Sequence, residues 1–181
     1  MNSNIVALNS IKKPIKKVLF LGYGRDQTTL IDALINANCE VHHTEDPIND
    51  VKYDLIISLG YTHLLTKKII NNVGCPILNL HISYLPYNKG AHPNFWSFYE
   101  NTPSGVTIHL IDDGIDTGPI IYQRYVNFAD TEVTFSQTYR RLISEIEALF
   151  LSRLEEIFSD QWTPKPQRGK GTLHYVKDLP K

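Results

Sequence analysis

The stretch Val18-Leu19-Phe20-Leu21-Gly22 decides how this chain is read. An apolar run without a polar interruption, stopped by a glycine, suits a strand covered on both faces, as in a parallel sheet. Downstream, Gly22-Tyr23-Gly24 makes a tight turn, Asp26 is placed to cap a helix, and Leu30, Ala33, Leu34 and Ala37 repeat at helical spacing. Glu40 to His43 reads as a weaker strand. Asp54 introduces a second buried run, Leu55-Ile56-Ile57-Ser58-Leu59, and Thr66 is placed to cap a short helix through Ile69 and Ile70. Pro76 opens a third run, Ile77-Leu78-Asn79-Leu80-His81. Upstream, residues 1–16 are polar, carry Lys12, Lys13 and Lys16, and are interrupted by Pro14, the mark of a loosely held lead-in. Strands alternating with helices predict an α/β fold with a mainly parallel twisted sheet and helices on both faces.

A loop rich in Pro, Gly and Asn follows from Pro86 to Asn94, then an aromatic helix, Phe95-Trp96-Ser97-Phe98-Tyr99. Gly105 and Gly118-Pro119 each start an apolar run, and the turn between them makes a strand-loop-strand unit. One long helix is predicted from about Thr134 to Phe158, because Phe135, Tyr139, Leu142, Ile146, Leu149, Phe150 and Ile157 recur at steps of three and four. Its Phe135, Leu142, Ile146 and Leu149 stripe is expected against the sheet. The tail ends in Thr172-Leu173-His174-Tyr175-Val176, read as a last short strand. With no internal repeat and no separating linker, residues 17–160 read as one domain and 161–181 as an extension packed on it.

At 181 residues, the chain is about one domain long. Hydrophobic residues at 42% and charged residues at 20% are an ordinary globular mix. A net charge of −1 excludes a protein held to nucleic acid by bulk charge. Cys39 and Cys75 form no CxxC pair, which argues against a disulfide scaffold and a zinc ribbon. No stretch approaches the roughly 18 apolar residues of a membrane span. The expectation is a cytoplasmic protein that binds neither membrane nor nucleic acid; the aromatic content leaves a homodimer open.

Several residues invite chemistry. Gly22-Tyr23-Gly24 lacks the third glycine of a dinucleotide fingerprint, whose place Gln27 holds, so a plain tight turn is the better reading. His42, His43 and Glu45 cluster without an HExxH pattern, so no metal is expected. His174 has no partner in view. Asn79 and His81, two apart on one strand, share a face at its C-terminal end, where open α/β sheets place ligands. Asp116, in Asp112-Asp113-Gly114-Ile115-Asp116-Thr117-Gly118-Pro119, is a carboxylate from a second segment, although acidic residues and glycines also make solvated turns. An amide, an imidazole and a carboxylate together can run acyl transfer: Asn79 and His81 stabilising an oxyanion, Asp116 accepting a proton and orienting the ring. No GxSxG elbow is present, so a serine hydrolase fits poorly.

The stretch N-L-H-I-S-Y-L-P-Y-N-K-G-A-H-P-N-F-W at 79–96 resembles a signature of the folate-dependent formyltransferases, and G-V-T-I-H-L-I-D-D-G-I-D-T-G-P-I-I at 105–121 resembles the other. With D-L-I-I-S-L-G-Y at 54–61, the resemblance covers about residues 17–160. It implies a Rossmann-like formyltransferase fold, catalytic Asn79, His81 and Asp116, N10-formyltetrahydrofolate as formyl donor, a primary amine as acceptor, and no metal. It also implies that the pterin lies beside Ile111, Asp112, Asp113, Gly114 and Ile115, and beside Tyr61, His63 and Leu65. His109 matches a frequent position of the family and reads equally as a structural histidine supporting the aspartate loop.

Within the family, methionyl-tRNA formyltransferases carry an extra C-terminal domain that 181 residues cannot hold beside the catalytic unit. Glycinamide ribonucleotide transformylase remains the alternative, but its Gly-Asn-Gly-Ser-like phosphate turn is replaced here by G-Y-G-R-D-Q at 22–27. The loop K-G-A-H-P-N-F-W at 89–96 and the ending G-K-G-T-L-H-Y-V-K-D-L at 169–179 are similar to the nucleotide-sugar N-formyltransferases. That branch implies a nucleotide-linked, dTDP-type amino-dideoxysugar acceptor of O-antigen or lipopolysaccharide synthesis. Lys89 would meet the diphosphate, and Tyr87, Asn94 and Trp96 the sugar or base, with core packing the bland alternative for Trp96. A catalytically silent folate-binding or assembly protein and a deformylating hydrolase are the readings from outside formyl transfer.

Overall fold

The computed structural model describes residues 4–129 and 134–180. They fall into two compact units, 1–79 and 80–181, and the division lies inside the span read from sequence as one domain.

The first unit contains β1 (Val6–Ala7), β2 (Lys17–Gly22), α1 (Leu30–Asn36), β3 (Glu40–Thr44), β4 (Leu55–Leu59), α2 (Lys67–Asn72) and the start of β5 (Ile77–His81). Strand β2 pairs in parallel with β3 and β4, Val18 lying opposite Val41 and Leu55, and β4 pairs in parallel with β5, Ser58 opposite Asn79. Val18 to Leu21 and Leu55 to Leu59, apolar except for Ser58, are buried throughout, as strands covered on both faces require. Helix α1 packs on β3 through an apolar side that buries Leu30, Ile31 and Leu34.

Two local expectations change. The described part of the lead-in is not loose: β1 pairs antiparallel with β3, and the Leu8 N–H donates to the Val41 carbonyl at 2.9 Å. Asn9 then bridges the same strand, its Nδ2 donating to Cys39 and its Oδ1 accepting from Val41 N–H. The cause is the outer edge of β3, whose backbone groups need partners that a polar, Asn-bearing segment can supply. Asp26 also does not cap α1, because the helix starts four residues later; Thr29 takes the N-cap and the Thr28 hydroxyl accepts from Leu30 N–H. Thr66 does cap α2, accepting from Ile69 N–H.

The second unit holds the end of β5, then β6 (Lys89–Gly90), α3 (Pro93–Tyr99), β7 (Gly105–Leu110), β8 (Ile120–Tyr125), α4 (Phe135–Ser152), α5 (Leu154–Phe158) and β9 (Leu173–His174). Strands β7 and β8 form an antiparallel pair whose register shifts between Ile108 and His109. The strand order is β1-β3-β2-β4-β5 in the first unit and β7-β8 in the second, parallel except for the β1–β3 and β7–β8 pairs, and β6 and β9 form a separate parallel pair.

The predicted long helix is two helices, since the backbone at Arg153 leaves helical geometry. There the Arg153 guanidinium pairs with Glu156 and lies over the Tyr122 ring. Helix α4 opens with a full capping box, in which Thr134 and Gln137 serve each other's backbone N–H groups. It packs on β7 and β8 through Leu142, Ile146, Leu149 and Phe150. Phe135 departs from the expected stripe: it is 52% exposed, and its ring meets Phe95 and Phe98.

Candidate active site

Strand β5 is apolar except for the residues that end it. His81 is its last residue, and Asn79 stands two positions earlier. The aspartate loop, 111–119, joins β7 to β8. The register shift of β7 at His109, just before this loop, is the kind of irregularity that re-aims a side chain beside a functional site.

Asp116 lies between two imidazoles. His81 Nε2 is 3.6 Å from Oδ2 and His109 Nε2 is 3.4 Å from Oδ1, while the Gly90 N–H donates to Oδ2 at 2.8 Å. Burial alone would raise the Asp116 pKa. The charge of His81, then the hydrogen bond and charge of His109, then the Gly90 amide outweigh it and hold the carboxyl well below the usual carboxylate range. The group is therefore ionised at neutral pH.

The backbone fixes both rings. His81 Nε2 lies 3.1 Å from the Asn88 carbonyl, an acceptor only, so this nitrogen carries a proton and donates it. By the same logic His109 donates from Nδ1 to the Leu110 carbonyl at 2.8 Å. His109 is 1% exposed, so it supports the aspartate from inside the protein, as one of its two sequence readings holds. Asp116 itself has φ +50°, in the left-handed region, and Gln167 Nε2 donates to the carbonyls of Asp116 and Gly118 at 2.7 and 2.9 Å. At Gly118 a Cβ would collide with the Leu110 carbonyl, which explains why glycine closes this turn.

Of the residues assigned to the pterin, Asp112 is engaged within its own loop, accepting from Gly114 N–H at 3.1 Å and from the Thr117 hydroxyl at 2.6 Å. Asp113 is exposed, and Ile111 and Ile115 are half-buried. In the first unit, the Tyr61 hydroxyl donates to the Asp46 carbonyl, its ring meets His63 edge-on, and Leu65 is buried. Of the residues assigned to the sugar nucleotide, Tyr87 on the loop after β5 and Lys89 at the start of β6 are both half-buried. Asn94 and Trp96 are buried: Asn94 Nδ2 donates to the Phe135 carbonyl, and the Trp96 indole stacks on His174 with centroids 4.0 Å apart. The bland reading of Trp96 thus describes its surroundings, and His174, with Nε2 3.3 Å from Glu100, gains partners that the sequence did not show.

The glycine turn also takes its plain form. Gly22 has φ +96°, a Cβ there would strike the Leu59 carbonyl, and its own carbonyl accepts from His43 Nε2. His42 bonds the Tyr53 hydroxyl and Glu40. Among the described residues, no group of three or more His, Cys, Asp or Glu side chains is arranged to hold a metal ion, and no helix is long and apolar enough to cross a membrane. Asn88, Gly90 and Gln167 are the site residues that sequence reasoning missed. They act through backbone groups or across long separations, and no motif spacing marks them.

Residues 27–154 match the protein family described as formyl transferase. The dTDP-4-amino-4,6-dideoxyglucose formyltransferase of Mycobacterium tuberculosis is 34% identical over 128 residues, 71% of this chain and 53% of that protein. The methionyl-tRNA formyltransferase of Thermodesulfovibrio yellowstonii is 32% identical over 130 residues, 71% of this chain and 41% of that protein. The chain thus spans about half the length of the curated relatives it matches. Among solved structures, the formyltransferase PseJ from Anoxybacillus kamchatkensis, in complex with UDP-4,6-dideoxy-4-formamido-L-AltNAc and tetrahydrofolate, superposes with a TM-score of 0.82 at 42% identity, covering 90% of this chain and 87% of that one. The extent of the family match and the likeness to PseJ along nearly the whole of both chains establish that this chain belongs to the formyl transferase family.

Proposed function

We propose that the chain transfers the formyl group of N10-formyltetrahydrofolate to the primary amine of a nucleotide-linked amino-dideoxysugar, with the amine at C4. One observation carries the reading: an ionised Asp116 is held between His81 and His109, on the loop and strand that bear the family's signatures. The acceptor is supported by PseJ, whose complex contains a UDP-linked 4-formamido sugar, and by the mycobacterial relative, named for a dTDP-linked 4-amino sugar. The greater identity to PseJ makes a UDP-linked sugar the first choice and a dTDP-linked one the second.

The residues divide the work as follows. Because His81 gives its Nε2 proton to Asn88, Nδ1 is the nitrogen left to meet a ligand, and it donates only when the ring is cationic. The Asp116 carboxylate lies 3.6 Å from the ring's other nitrogen. Asn79 supplies an amide donor, so the two side chains can stabilise charge developing on the formyl oxygen. A carboxylate with so low a pKa is a poor base toward a resting ammonium. Attack makes the amine nitrogen a far stronger acid, however, and Asp116 can then take its proton. The folate supplies the formyl group: as the new amide forms, the bond between the formyl carbon and N10 breaks, and N10 leaves with the proton taken from the amine, so that tetrahydrofolate is the second product. Half-buried Ile111 and Ile115, beside an Asp112 already satisfied within its loop, leave apolar surface and backbone groups for a pterin.

The test is incubation with N10-formyltetrahydrofolate and a panel of amines, with product masses recorded. The panel holds UDP- and dTDP-linked 4-amino-4,6-dideoxysugars, a 3-amino counterpart, glycinamide ribonucleotide and methionyl-tRNA. A mass gain of one formyl group on the 4-amino sugars is expected. Formylation of glycinamide ribonucleotide or methionyl-tRNA alone overturns the acceptor, and no product on any amine favours a silent folate-binding protein.

A further inference from the structure

We propose that Thr172 is a positioning residue for the His81–Asp116 pair, acting through Asn88; the inference rests on the formyl-transfer reading and deepens it. Asn88 is fully buried with φ +53°, an unusual backbone for a residue with a Cβ, so its partners must hold it there. Its N–H donates to the Thr172 hydroxyl at 2.7 Å, and that hydroxyl donates back to Asn88 Oδ1 at 3.1 Å. Asn88 Nδ2 donates to the Thr102 hydroxyl at 2.8 Å. The remaining polar group of Asn88, its carbonyl, accepts from His81 Nε2. One hydroxyl just before β9 thus satisfies two groups of the residue that sets the protonated nitrogen of His81.

The same segment reaches Asp116. Lys89 N–H donates to the Thr172 carbonyl and Ala91 N–H to the His174 carbonyl, at 3.0 and 2.9 Å. Between them, the Gly90 N–H points the other way and donates to Asp116 Oδ2. Glycine is required at that step, because φ is +82° and a Cβ would strike the His174 carbonyl. The pairing of β6 with β9 therefore sets the amide that holds Asp116, while the Thr172 side chain sets the carbonyl that holds His81.

Thr172→Val keeps the shape and removes the hydroxyl, leaving Asn88 N–H and Oδ1 buried without partners. The Asn88 carbonyl then relaxes from His81, whose Nδ1 no longer faces the reacting group in a fixed direction. The expected result is a fall in kcat of about ten- to a hundredfold with KM for both substrates nearly unchanged, since a small misplacement of a catalytic group costs that much. Thr172→Ser restores the hydroxyl and should recover most of kcat. Val176→Ser, on the exposed surface after β9, should leave kcat alone. The companion readout is the NMR signal of the His81 Nε2–H, which its bond to the Asn88 carbonyl protects from solvent exchange in the wild type and which should exchange faster in Thr172→Val. Should Thr172→Val fail to fold, Thr172→Ala makes the same deletion without a second methyl to accommodate.

Two results overturn the proposal: hydroxyl-free variants with wild-type kcat and unchanged exchange of the His81 Nε2–H, or Thr172→Ser as impaired as Thr172→Val. If the wild type formylates no amine, the functional reading fails separately, and exchange of the His81 Nε2–H still decides whether Thr172 sets the ring.

Discussion

Replacing Asp116 with asparagine keeps the shape of the side chain and removes its charge. The amide oxygen can still accept from Gly90 N–H, now 2.8 Å from Oδ2, but the two imidazole nitrogens at 3.4 and 3.6 Å lose their counterion. A hydrogen bond to a charged group contributes about 1.5–3 kcal/mol and a neutral one about 0.5–1.5, so Asp116→Asn should lose about 1–2 kcal/mol of folding stability at neutral pH. The pH dependence follows from the direction of the shift. The Asp116 pKa is lowered in the folded protein, so the folded state binds its proton less readily than the unfolded chain. Its contribution is therefore complete above the unfolded value of about 3.9 and is lost as pH falls toward the depressed folded value. Urea unfolding of wild type and variant should show a constant gap from pH 7 down to about pH 5 that narrows below about pH 4. Turnover should fall on the order of 10² to 10⁴-fold. The residual rate should rise with pH as more of the acceptor amine becomes neutral unaided. A gap that widens on acidification, or wild-type turnover in the variant, would refute the reasoning.

On the proposed mechanism His81→Ala removes one donor to the formyl oxygen, so the barrier should rise by about 2.7–4 kcal/mol with nucleotide-sugar binding nearly intact; quenched turnover assays and calorimetric titration with the sugar nucleotide check both halves. Ile146→Ala, at a wholly buried position of α4, should cost about 2–5 kcal/mol in urea unfolding, because the sheet beneath cannot close the gap. The Cys75 thiol is pushed up to about 11 by burial and by the charge of Asp54, so iodoacetamide should label it slowly at pH 8 and faster as pH approaches 11, read by mass spectrometry.

The parts of this protein that a sequence reader can see are those whose cause is local. Val18 to Leu21 and Leu55 to Leu59 announce buried strands because every side chain there but Ser58 is apolar, and both are buried throughout. Asn79 and His81 stand out as polar interruptions of a third such run, and Asp116 lies in a second signature. The break at Arg153 was not legible, because the apolar spacing of α4 continues through Ile157 while a backbone turn and an ion pair interrupt the helix. The pairing of β1 with β3 was missed because a two-residue strand has no periodicity to detect. Phe135 fits the helical spacing, yet its ring packs beside α3 because other aromatic side chains sit there. Asn88, Gln167 and Thr172 were invisible for a further reason: their importance lies in contacts 49 to 84 residues away along the chain.

The bond between Asn88 and Thr172 also bears on how the molecule is made. Closing a loop of 84 residues costs roughly 2 kcal/mol more than closing one of about 10, and that entropy is spent before the contact gives anything back. Helix α4 and the β7–β8 hairpin, built from near neighbours in sequence, carry no such delay. A chain still in synthesis, with residue 172 not yet joined, can have its hairpin formed while His81 still lacks the support that runs through Asn88. Completion of the His81–Asp116 cluster is then among the last events in folding, and helical signal alone is a poor gauge of how many molecules have it formed.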